Sequence, residues 1–523
     1  MNTRSQWGTR AGFILAASGS AIGLGNIWRF PYVAYEGGGG AFFLPYLIAL
    51  LTAGIPILIL EFTMGHKYRG SAPLTFARIN KKYEWVGWWG VFVSFVISVY
   101  YAVIVAWAMA YTYFSINQAW GEDTEGFLED TFLGFANVNP GEFGSYVPSV
   151  LIPLIIVWAI VLLILFRGVR KGIEFANRIF IPALVIIFLI VVFRAVTLDG
   201  AIQGLEAFFK PDFSAILDGK VWVAAYGQIF FSLSIAFAIM ITYSSYLDKK
   251  SDITSNAFIV GFSNSSFELL AGIGVFGALG YLAHISGEAV NEVVSSGVGL
   301  AFAIFPIIIN ELPGLNGLFG VLFFLALTLA GLTSLISICE TYVAGVSEKF
   351  NVSRSKAVFF SAGFAALVSI LIFSTQGGLY FLDVADYFIN QFGVAFIGLV
   401  EVILVAWVFR KLAEFQNHAD SVSDVRLGLW WHISIRFITP IILGYMMFDL
   451  FRVNILKLHQ HTDDADQVYY GNYGDYADSF IMYSGWFVAA GAVLLAVAMT
   501  LKKWNPELLS SQSYESEKED EAV

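Results

Sequence analysis

The stretch of sequence that decides the fold is Ser18-Gly19-Ser20-Ala21-Ile22-Gly23-Leu24-Gly25-Asn26. It interrupts an apolar run over residues 11–34, which would otherwise cross a membrane as one helix of about 20 residues. Three glycines stand in this stretch, and each costs a helix interior about 1 kcal/mol relative to alanine. Lipid cannot hydrogen-bond to free backbone groups, so irregular backbone at this depth is tolerated only where it lines a cavity or is buried in protein. The stretch therefore predicts a broken membrane helix that forms one wall of a site.

The composition of the whole chain indicates a protein embedded in lipid. Of its 523 residues, 58% are hydrophobic and only 13% are charged, and the mean hydropathy is +0.71. A water-soluble domain of this length could not hide so much apolar surface in its cores. We therefore predict an all-α polytopic membrane protein with twelve transmembrane helices, called spans 1 to 12, at residues 11–34, 41–65, 86–115, 148–167, 174–196, 222–246, 255–283, 315–347, 355–374, 380–410, 428–455 and 478–502.

A second, weaker break is predicted in span 6, at Ser232-Leu233-Ser234-Ile235-Ala236-Phe237-Ala238. Small polar residues rather than glycines favour the break there. Two broken helices five spans apart are typical of a five-plus-five inverted repeat, in which the site lies at the bilayer midplane between the repeats. Close helix packing is the alternative, but Gly23 and Gly25 do not have the spacing of the small-xxx-small packing motif. Asn26 beside Arg29 would moreover be costly on a lipid-facing surface.

The basic residues predict the orientation of the chain. The 66–85 connection carries five Lys or Arg residues, whereas the 116–147 connection carries six Asp or Glu residues and no Lys or Arg. Cytoplasmic loops are enriched in Lys and Arg, so we expect a multi-pass protein of the cell (inner) membrane with both termini in the cytoplasm. No small-residue cleavage site follows the first apolar run, so we interpret it as a retained span rather than a signal peptide. We expect the apolar 284–314 connection to be a re-entrant outer loop, because glycine and proline interrupt it.

Several function classes find no support in the residues. The six His residues are scattered, and the spans contain no metal-ligating or Ser/His/Asp arrangement, so we expect neither an enzyme nor an organic cofactor. No nucleic acid partner is expected. A sodium channel would need a ring of acidic side chains or a carbonyl filter, and the sequence has no such motif. A membrane receptor that resembles a transporter but binds its solute without carrying it across the membrane stays open as an alternative, and binding without flux would identify it.

The motif around the first break is similar to that of a known family. Trp7-Gly8-Thr9-Arg10 followed by Gly23-Leu24-Gly25-Asn26-Ile27-Trp28-Arg29-Phe30-Pro31 resembles the opening of the neurotransmitter:sodium symporter family, and similar stretches follow in order at 38–42, 100–101, 227–234 and 330–334. The resemblance, to a prokaryotic-type amino acid transporter, implies sodium-coupled symport by alternating access. It also implies a cytoplasmic N-terminus (1–10), a first inverted repeat (11–196), a second inverted repeat (222–410), two extra C-terminal helices (428–502) and an acidic cytoplasmic tail (503–523).

By the same resemblance, two sodium ions are expected at the breaks. A Ser or Thr in a helix usually bonds back to its own turn, so the assignments rest on the motif context. For the first ion the resemblance implies the Ala21 carbonyl, the Asn26 side chain, the Ser232 hydroxyl and carbonyl, and Asn264. For the second ion it implies the carbonyls of Gly19, Ile22 and Ala330 and the hydroxyls of Thr333 and Ser334.

The substrate implied by the resemblance is a small neutral amino acid. Relatives that carry monoamines have Asp at the position of Gly23, whereas glycine leaves room for a substrate that brings its own carboxylate. That carboxylate would lie near the first sodium ion, at backbone N–H groups on a positive half-helix end. Alanine-like and leucine- or aromatic-like side chains both stay open here, as does a solute that is not an amino acid. The predicted substrate-binding residues are Ser20, Ala21, Gly23, Leu24, Gly25, Ile97, Tyr101, Phe231, Ser232, Ser234, Phe237, Ser334, Ser337 and Ile338.

Glu268 and two gates complete the prediction. Glu268 lies four residues after Asn264, on the same helical face, inside a span where an ionised carboxylate is costly. Chloride-dependent relatives have a neutral small polar residue there, so we hypothesise that Glu268 replaces chloride and is protonated on the return step, giving proton countertransport. A structural carboxylate satisfied by neighbouring hydroxyls is the alternative. The resemblance implies an outer gate of Arg29 and Asp386 and an inner gate of Arg4, Trp7, Tyr246 and Glu348.

Overall fold

The structure is a computed structural model that describes residues 5–462 and 468–510. Ten continuous helices in these ranges are long and apolar enough to cross a membrane. They correspond to predicted spans 2 to 5 and 7 to 12, so the expected all-α membrane fold is confirmed. Their bounds are Gly39–Tyr68, Lys81–Phe114, Pro148–Phe166, Val169–Val196, Ile253–Ser286, Asn316–Phe350, Arg354–Phe373, Gly378–Val408, Leu429–Ile455 and Asp478–Met499.

Span 1 consists of two half-helices, Arg10–Ala21 and Leu24–Glu36, which meet at an angle of 57°. Thr9 caps the first of them, since its hydroxyl accepts from the Gly12 N–H at 3.0 Å. At the break, Ile22 has ψ of 95° and Gly23 has φ of −123° and ψ of −167°, which is extended backbone that any residue can adopt. The break in span 1 is therefore free of backbone strain.

Span 6 also consists of two half-helices, Gly219–Ser232 and Ile239–Ser244. Between them, three residues that are not glycine adopt positive φ: 51° at Ser234, 66° at Ala236 and 62° at Ala238. Such conformations are sparsely populated for L-residues and persist only where surrounding structure imposes them. Neither half-helix is long enough to cross a membrane alone, so the total of twelve spans stays a prediction.

Spans 1, 2, 3, 6, 7, 8 and 10 form the interior of the bundle. Protein covers 78% of the apolar window of spans 3 and 8, and 67% of that of spans 2, 7 and 10. The corresponding share is only 33% for spans 4, 5 and 11 and 39% for spans 9 and 12. The two broken helices are thus enclosed by other helices, where irregular backbone can be satisfied by protein groups.

Shorter elements form the connections. The helix Gly297–Glu311 in the 284–314 connection is shorter than the roughly 20 residues that a crossing requires. Strands β1 (His459–Thr462) and β2 (Val468–Gly471) pair antiparallel between spans 11 and 12, with His459 opposite Gly471. Other short helices are Ala72–Ile79, Ala201–Phe209, Val290–Val293, Leu412–Val422 and Pro506–Ser510.

Candidate substrate and sodium site

A cavity of about 430 Å³ lies between the breaks of spans 1 and 6. Its walls come from spans 1, 3, 6, 8 and 10, so residues far apart in the sequence meet there. All but one of the predicted substrate-binding residues line this cavity, namely Ser20, Ala21, Gly23, Leu24, Gly25, Ile97, Tyr101, Phe231, Ser232, Ser234, Phe237, Ser334 and Ile338.

Ser337 is the exception, because its hydroxyl is engaged elsewhere. Ser337 Oγ accepts from the Tyr243 hydroxyl at 2.8 Å and donates to the Thr333 carbonyl at 2.9 Å. The side chain is completely buried. Ser337 therefore joins span 8 to the second half of span 6 and lies outside the lining of the cavity.

Gly23 and Gly25 leave space beside the second half-helix of span 1. A Cβ on Gly23 would lie 3.1 Å from Ser334 Oγ and 3.3 Å from the Tyr101 hydroxyl, and a Cβ on Gly25 would meet no described atom within 4 Å. The Leu24 N–H donates to the Tyr101 hydroxyl at 3.5 Å, which is at the long limit of a hydrogen bond. The first N–H groups of a helix have no partner in that helix and favour an anion. This space can therefore receive a carboxylate.

The residues predicted for the first sodium ion converge at the Asn264 amide. One terminal atom of this amide lies 3.2 Å from both the Ala21 and the Ser232 carbonyl oxygens, and the other lies 3.0 Å from Ser232 Oγ. Asn26 Nδ2 donates to Asn264 Oδ1 at 2.8 Å, and Asn26 Oδ1 accepts from the Gly23 N–H at 2.9 Å. The carbonyl oxygens of Ala21 and Ser232 thus lie at the same end of the Asn264 amide, and carbonyl oxygens are ligands that suit a hard cation.

The residues predicted for the second sodium ion lie where span 1 meets span 8. Ser334 Oγ donates at 3.3 Å to the carbonyls of Gly19 and Ser20 across this contact. Thr333 Oγ1 donates to the Ala330 carbonyl at 2.9 Å within span 8, which is the ordinary back-bond of a helical Thr. Ile22 is the C-cap of the first half-helix, three residues after Gly19. Carbonyl and hydroxyl oxygens without a carboxylate suit a hard cation of low charge.

Glu268 lies completely buried one helical turn from Asn264. Gln228 Nε2 donates to its Oε1 at 2.7 Å, and the Tyr46 hydroxyl donates to its Oε2. Gln228 itself lines the cavity, so the carboxylate is separated from the cavity by a single side chain. Donors from spans 2 and 6 therefore hold this carboxylate next to the residues of the first ion.

The predicted outer gate residues lie at the mouth of the cavity. Arg29 and Asp386 both line it, but no ion pair within 4.0 Å joins them. The Arg29 guanidinium instead lies 4.5 Å from the centre of the Phe231 ring, a cation–π contact. Asp386 Oδ1 accepts from Asn390 Nδ2 at 2.8 Å. Each gate charge is therefore held by a neighbour and not by the other gate residue.

The connection between spans 11 and 12 forms part of the same mouth. Asp383 accepts from the Tyr473 hydroxyl at 2.8 Å and from the Tyr476 hydroxyl at 2.9 Å. Burial and the adjacent carboxylate raise the pKa of both tyrosines, so both hydroxyls remain donors. Tyr473 also stacks on Tyr387, with ring centres 3.9 Å apart. Segments after the β hairpin thus cover the side of span 10 that carries Asp386.

The opposite end of the site is held by the N-terminal segment. Trp7 Nε1 donates to the Tyr243 carbonyl at 2.8 Å, and the Trp7 N–H donates to the Tyr246 carbonyl at 3.1 Å. Two members of the predicted inner gate, Trp7 and Tyr246, are therefore in contact. Arg4, the third member, lies outside the described residues.

Glu348 and a second carboxylate stabilise this end. Glu348 Oε2 accepts from the N–H and the hydroxyl of Ser71 at 3.0 and 2.5 Å. The Tyr246 hydroxyl donates to Glu340 Oε1 at 2.8 Å, and Arg354 donates to both oxygens of Glu340 at 2.8 and 2.6 Å. The ion pair between the buried Glu340 and the partly exposed Arg354 thus joins Tyr246 to spans 8 and 9.

The chain is similar to a known family of membrane proteins. A model of the Sodium:neurotransmitter symporter family matches residues 4–140 and 127–505, which together include both broken helices and almost the whole chain. The chain belongs to this family. As a member of the sodium:neurotransmitter symporter family, the protein is a sodium-dependent secondary transporter and not an enzyme.

Individual relatives extend over nearly the full length. An uncharacterized sodium-dependent transporter of Methanocaldococcus jannaschii is 40% identical over 506 residues, covering 96% of this chain and 99% of the relative. The mouse sodium- and chloride-dependent neutral and basic amino acid transporter B(0+) is 28% identical, covering 93% of this chain and 83% of the relative. The crystal structure of MhsT in complex with L-phenylalanine has a TM-score of 0.72 and 32% identity, covering 85% of this chain and 99% of that one.

Buried acidic residues that were not predicted from the sequence support the site of this symporter. Glu61 Oε1 accepts from the Ala236 N–H in the unwound part of span 6 at 2.6 Å. Glu401 in span 10 is also buried. An ionisable residue inside an apolar span is itself a signal of function, and this signal could have found Glu61, Glu340 and Glu401. No comparable local signal distinguishes Asn390 or Tyr473.

Proposed function

We propose that this protein carries a neutral amino acid together with sodium ions by alternating access. The observation that carries the proposal is that a space for a carboxylate lies next to a group of converging oxygens at the breaks. The space beside Gly25 offers N–H groups and the Tyr101 hydroxyl to a carboxylate. The carbonyl oxygens of Ala21 and Ser232 converge beside it, at the Asn264 amide. A substrate carboxylate in this space would complete the oxygen cage of the first ion, so each ligand would strengthen the binding of the other.

The substrate class follows from the walls of the cavity. The amine of the substrate would meet the carbonyls at the ends of the half-helices, near Ala21, Phe231 and Ser234. Its side chain would extend toward Ile97, Phe237 and Ile338, which are apolar. We therefore infer a neutral side chain that is apolar and up to aromatic in size, and the 32% identity to MhsT, solved with L-phenylalanine, supports this inference. A sodium-coupled solute of another class would lack partners for the carboxylate donors.

Two sodium ions would drive the transport. The first would be held by Ala21, Asn26, Ser232 and Asn264, and the second by Gly19, Ile22, Ala330, Thr333 and Ser334. A positive charge that crosses 100 mV gains about 2.3 kcal/mol, so two ions support steep accumulation even before their own gradient is counted. Because the second set lies between spans 1 and 8, its ion would hold the first half-helix of span 1 against span 8 until release.

Glu268 would make chloride unnecessary. Its carboxylate is a fixed negative charge one turn from Asn264 and would offset the charge of the first ion. Burial without an opposite charge in hydrogen-bond contact favours its protonation once the ion leaves, which would return a proton in the opposite direction. Glu268→Ser is expected to make transport chloride-dependent, and Glu268→Gln should keep transport slow with or without chloride. Chloride-dependent uptake by the wild type would contradict the proposal.

Alternating access would exchange the two ends of the site. In the structure no ion pair joins Arg29 and Asp386 at one end of the site, whereas Trp7, Tyr246 and the Glu340–Arg354 pair hold the other end. With the loops rich in Lys and Arg in the cytoplasm, this is an outward-open arrangement in the cell membrane. Approach of Arg29 to Asp386 would close it, and separation of Trp7 from span 6 would open the cytoplasmic end. The two repeats, 11–196 and 222–410, would move against each other in this step.

The experiment that tests the proposal is uptake of labelled amino acids into proteoliposomes. Uptake under an inward sodium gradient is compared with uptake when potassium or choline replaces sodium, in chloride-free buffer in both cases. Sodium-dependent accumulation of apolar amino acids is expected, with Asn264→Ala as an inactive control because it removes the amide at which the oxygens converge. Binding of an amino acid without accumulation would instead identify a receptor. Uptake of no amino acid at all would overturn the assigned substrate class.

A further inference from the structure

A second cavity, of about 640 Å³, lies at the ends of spans 4 and 5 that are nearest the N-terminal segment. Span 4 ends at Phe166 and span 5 begins at Val169, so the cavity is at the edge of the membrane. Gly8 and Thr9 of the N-terminal segment form one wall. The charged lining residues are Arg167, Arg170, Lys171, Glu174 and Arg178.

The only carboxylate in this lining is already engaged by its neighbours. Glu174 is buried and accepts from the Gly8 N–H at 2.6 Å, from the Thr9 hydroxyl at 3.1 Å and from Arg178 at 2.6 Å. Arg178 also donates to Thr9 Oγ1 at 2.5 Å. These contacts tie the N-terminal segment to span 5 and account for the charge of Arg178.

Three cations of the cavity remain without a carboxylate. Arg167, Arg170 and Lys171 are exposed, and no carboxylate oxygen of the described residues lies within 4.0 Å of any of them. A concave surface with an excess of positive charge concentrates anions from solution. The cavity therefore has the electrostatics of a binding site for a small anion.

The surface next to the cavity is apolar and faces lipid. The side chains of Phe166, Phe175 and Ile179 are 43%, 56% and 50% exposed. Spans 4 and 5 are among the least covered helices of the bundle. A molecule that combines an anionic group with long apolar chains would satisfy both surfaces at once, and in a membrane that molecule is a phospholipid.

We propose that this cavity binds the headgroup of an anionic phospholipid. Its phosphate would lie among Arg167, Arg170 and Lys171, and its acyl chains would follow Phe166, Phe175 and Ile179 along the outside of the bundle. The alternative is that these cations only set the orientation of the spans, as Lys and Arg at cytoplasmic helix ends commonly do. That alternative predicts no preference for an anionic lipid. A free phosphate ion would use the same cations but gain nothing from the apolar surface.

Native mass spectrometry of the full-length protein in detergent tests the proposal. The protein is mixed with phosphatidylglycerol or with phosphatidylcholine, and the lipid molecules that it retains are counted. We expect the wild type to retain phosphatidylglycerol in preference. The variant R167Q/R170Q/K171Q should bind it about 100-fold more weakly, which corresponds to about 1 kcal/mol for each of three cations near an anionic headgroup. Lys171→Gln alone should weaken binding about fivefold.

The matched control is K81Q/K82Q/K356Q, which removes three exposed cations from other connections. This control should retain phosphatidylglycerol like the wild type. Equal loss in the two triple variants, or no loss in either, would overturn the proposal. Competition with inorganic phosphate distinguishes the two sources of phosphate: displacement of the lipid by an equal concentration of phosphate would indicate a site for the free ion. Phe175→Ser should weaken lipid retention and leave phosphate binding unchanged. The single variant Lys171→Gln keeps the test decisive if the triple variant does not fold.

Discussion

Spans 1 and 6 are broken at the same cavity, but by different means. In span 1 the break lies at Ile22 and Gly23, where the backbone is extended and unstrained. In span 6 the break contains Ser234, Ala236 and Ala238, three residues with positive φ and none of them glycine. The first break follows from the local sequence, whereas the second is imposed on residues that would otherwise avoid it.

The second break is held by side chains from other spans. Glu61 in span 2 accepts from the Ala236 N–H at 2.6 Å, and Ser94 in span 3 donates to the Phe237 carbonyl at 2.6 Å. A non-glycine residue in the left-handed region costs about 1–3 kcal/mol, and hydrogen bonds to groups that would otherwise be buried without partners offset a similar amount. We therefore expect substitutions at the first break to weaken the binding of substrate and ion, and substitutions at the second break to change the stability of the protein.

The largest expected effect is that of Gly25→Leu at the first break. A Cβ at Gly25 meets no described atom within 4 Å, so the side chain can be accommodated by the fold but fills the space for the substrate carboxylate. The clash between the new side chain and the substrate should cost about 3 kcal/mol of substrate binding, which corresponds to about 100-fold weaker sodium-dependent uptake. Uptake by proteoliposomes measures this, with Gly25→Ala as the milder control. A variant that unfolds, rather than one that folds without transport, would contradict the comparison.

At the second break, Glu61→Ala is expected to lower the free energy of unfolding by about 2 kcal/mol, because the Ala236 N–H is left buried without an acceptor. Labelling of Cys339 measures unfolding, since it is the only cysteine of the chain and is buried. Glu61→Gln keeps an acceptor oxygen and serves as the control, with a smaller loss. If Glu61→Ala leaves the labelling temperature unchanged, the break in span 6 does not depend on span 2.

Ser94→Ala tests the other support of the same break and should cost about 1 kcal/mol, the usual net value of one hydrogen bond. The matched control is Thr112→Ala in the same span, since the Thr112 hydroxyl bonds only to its own turn, at the Ala108 carbonyl. The two variants are compared by the temperature at which Cys339 becomes reactive. Equal effects of the two substitutions would mean that Ser94 gives span 6 no particular support.

The smallest expected effect has the opposite sign. Ala236→Gly should stabilise the protein by about 0.5 kcal/mol, because glycine adopts positive φ without steric cost and the φ of Ala236 is 66°. Ala225→Gly, in the helical half of the same span, should destabilise it by about 1 kcal/mol. Opposite shifts of the unfolding temperature in the two variants would show that the strain is confined to the unwound segment. Destabilisation by both would refute it.

The helices could be predicted closely from the sequence because hydropathy is a local property. Predicted span 4, residues 148–167, corresponds to Pro148–Phe166, and predicted span 12, residues 478–502, corresponds to Asp478–Met499. The start of span 3 was less accurate, since its helix begins at Lys81 rather than at residue 86. Polar residues at a helix end carry little hydropathic signal, which explains this difference.

The composition of the site could be predicted only through the motifs. Thirteen of the predicted substrate-binding residues line one cavity, but Ser337 bonds to Tyr243 instead. Ser334 and Ser337 are both small polar residues on span 8. Nothing in the sequence alone tells which of the two faces the cavity. The direction of a side chain depends on what the neighbouring helix offers it.

The sequence by itself determined that this protein lies in a membrane, where its helices run and that span 1 is broken, because hydropathy and glycine content act over a few neighbouring residues. Only the tertiary structure decided that Asn264 meets Ala21 and Ser232, that Glu61 holds Ala236, and that Arg29 and Asp386 are apart. These contacts join residues from separate spans, and their free energy depends on distances that a linear pattern does not contain. For the same reason the basic cavity beside Thr9 could not be predicted from the charged residues of the segment 167–178 alone.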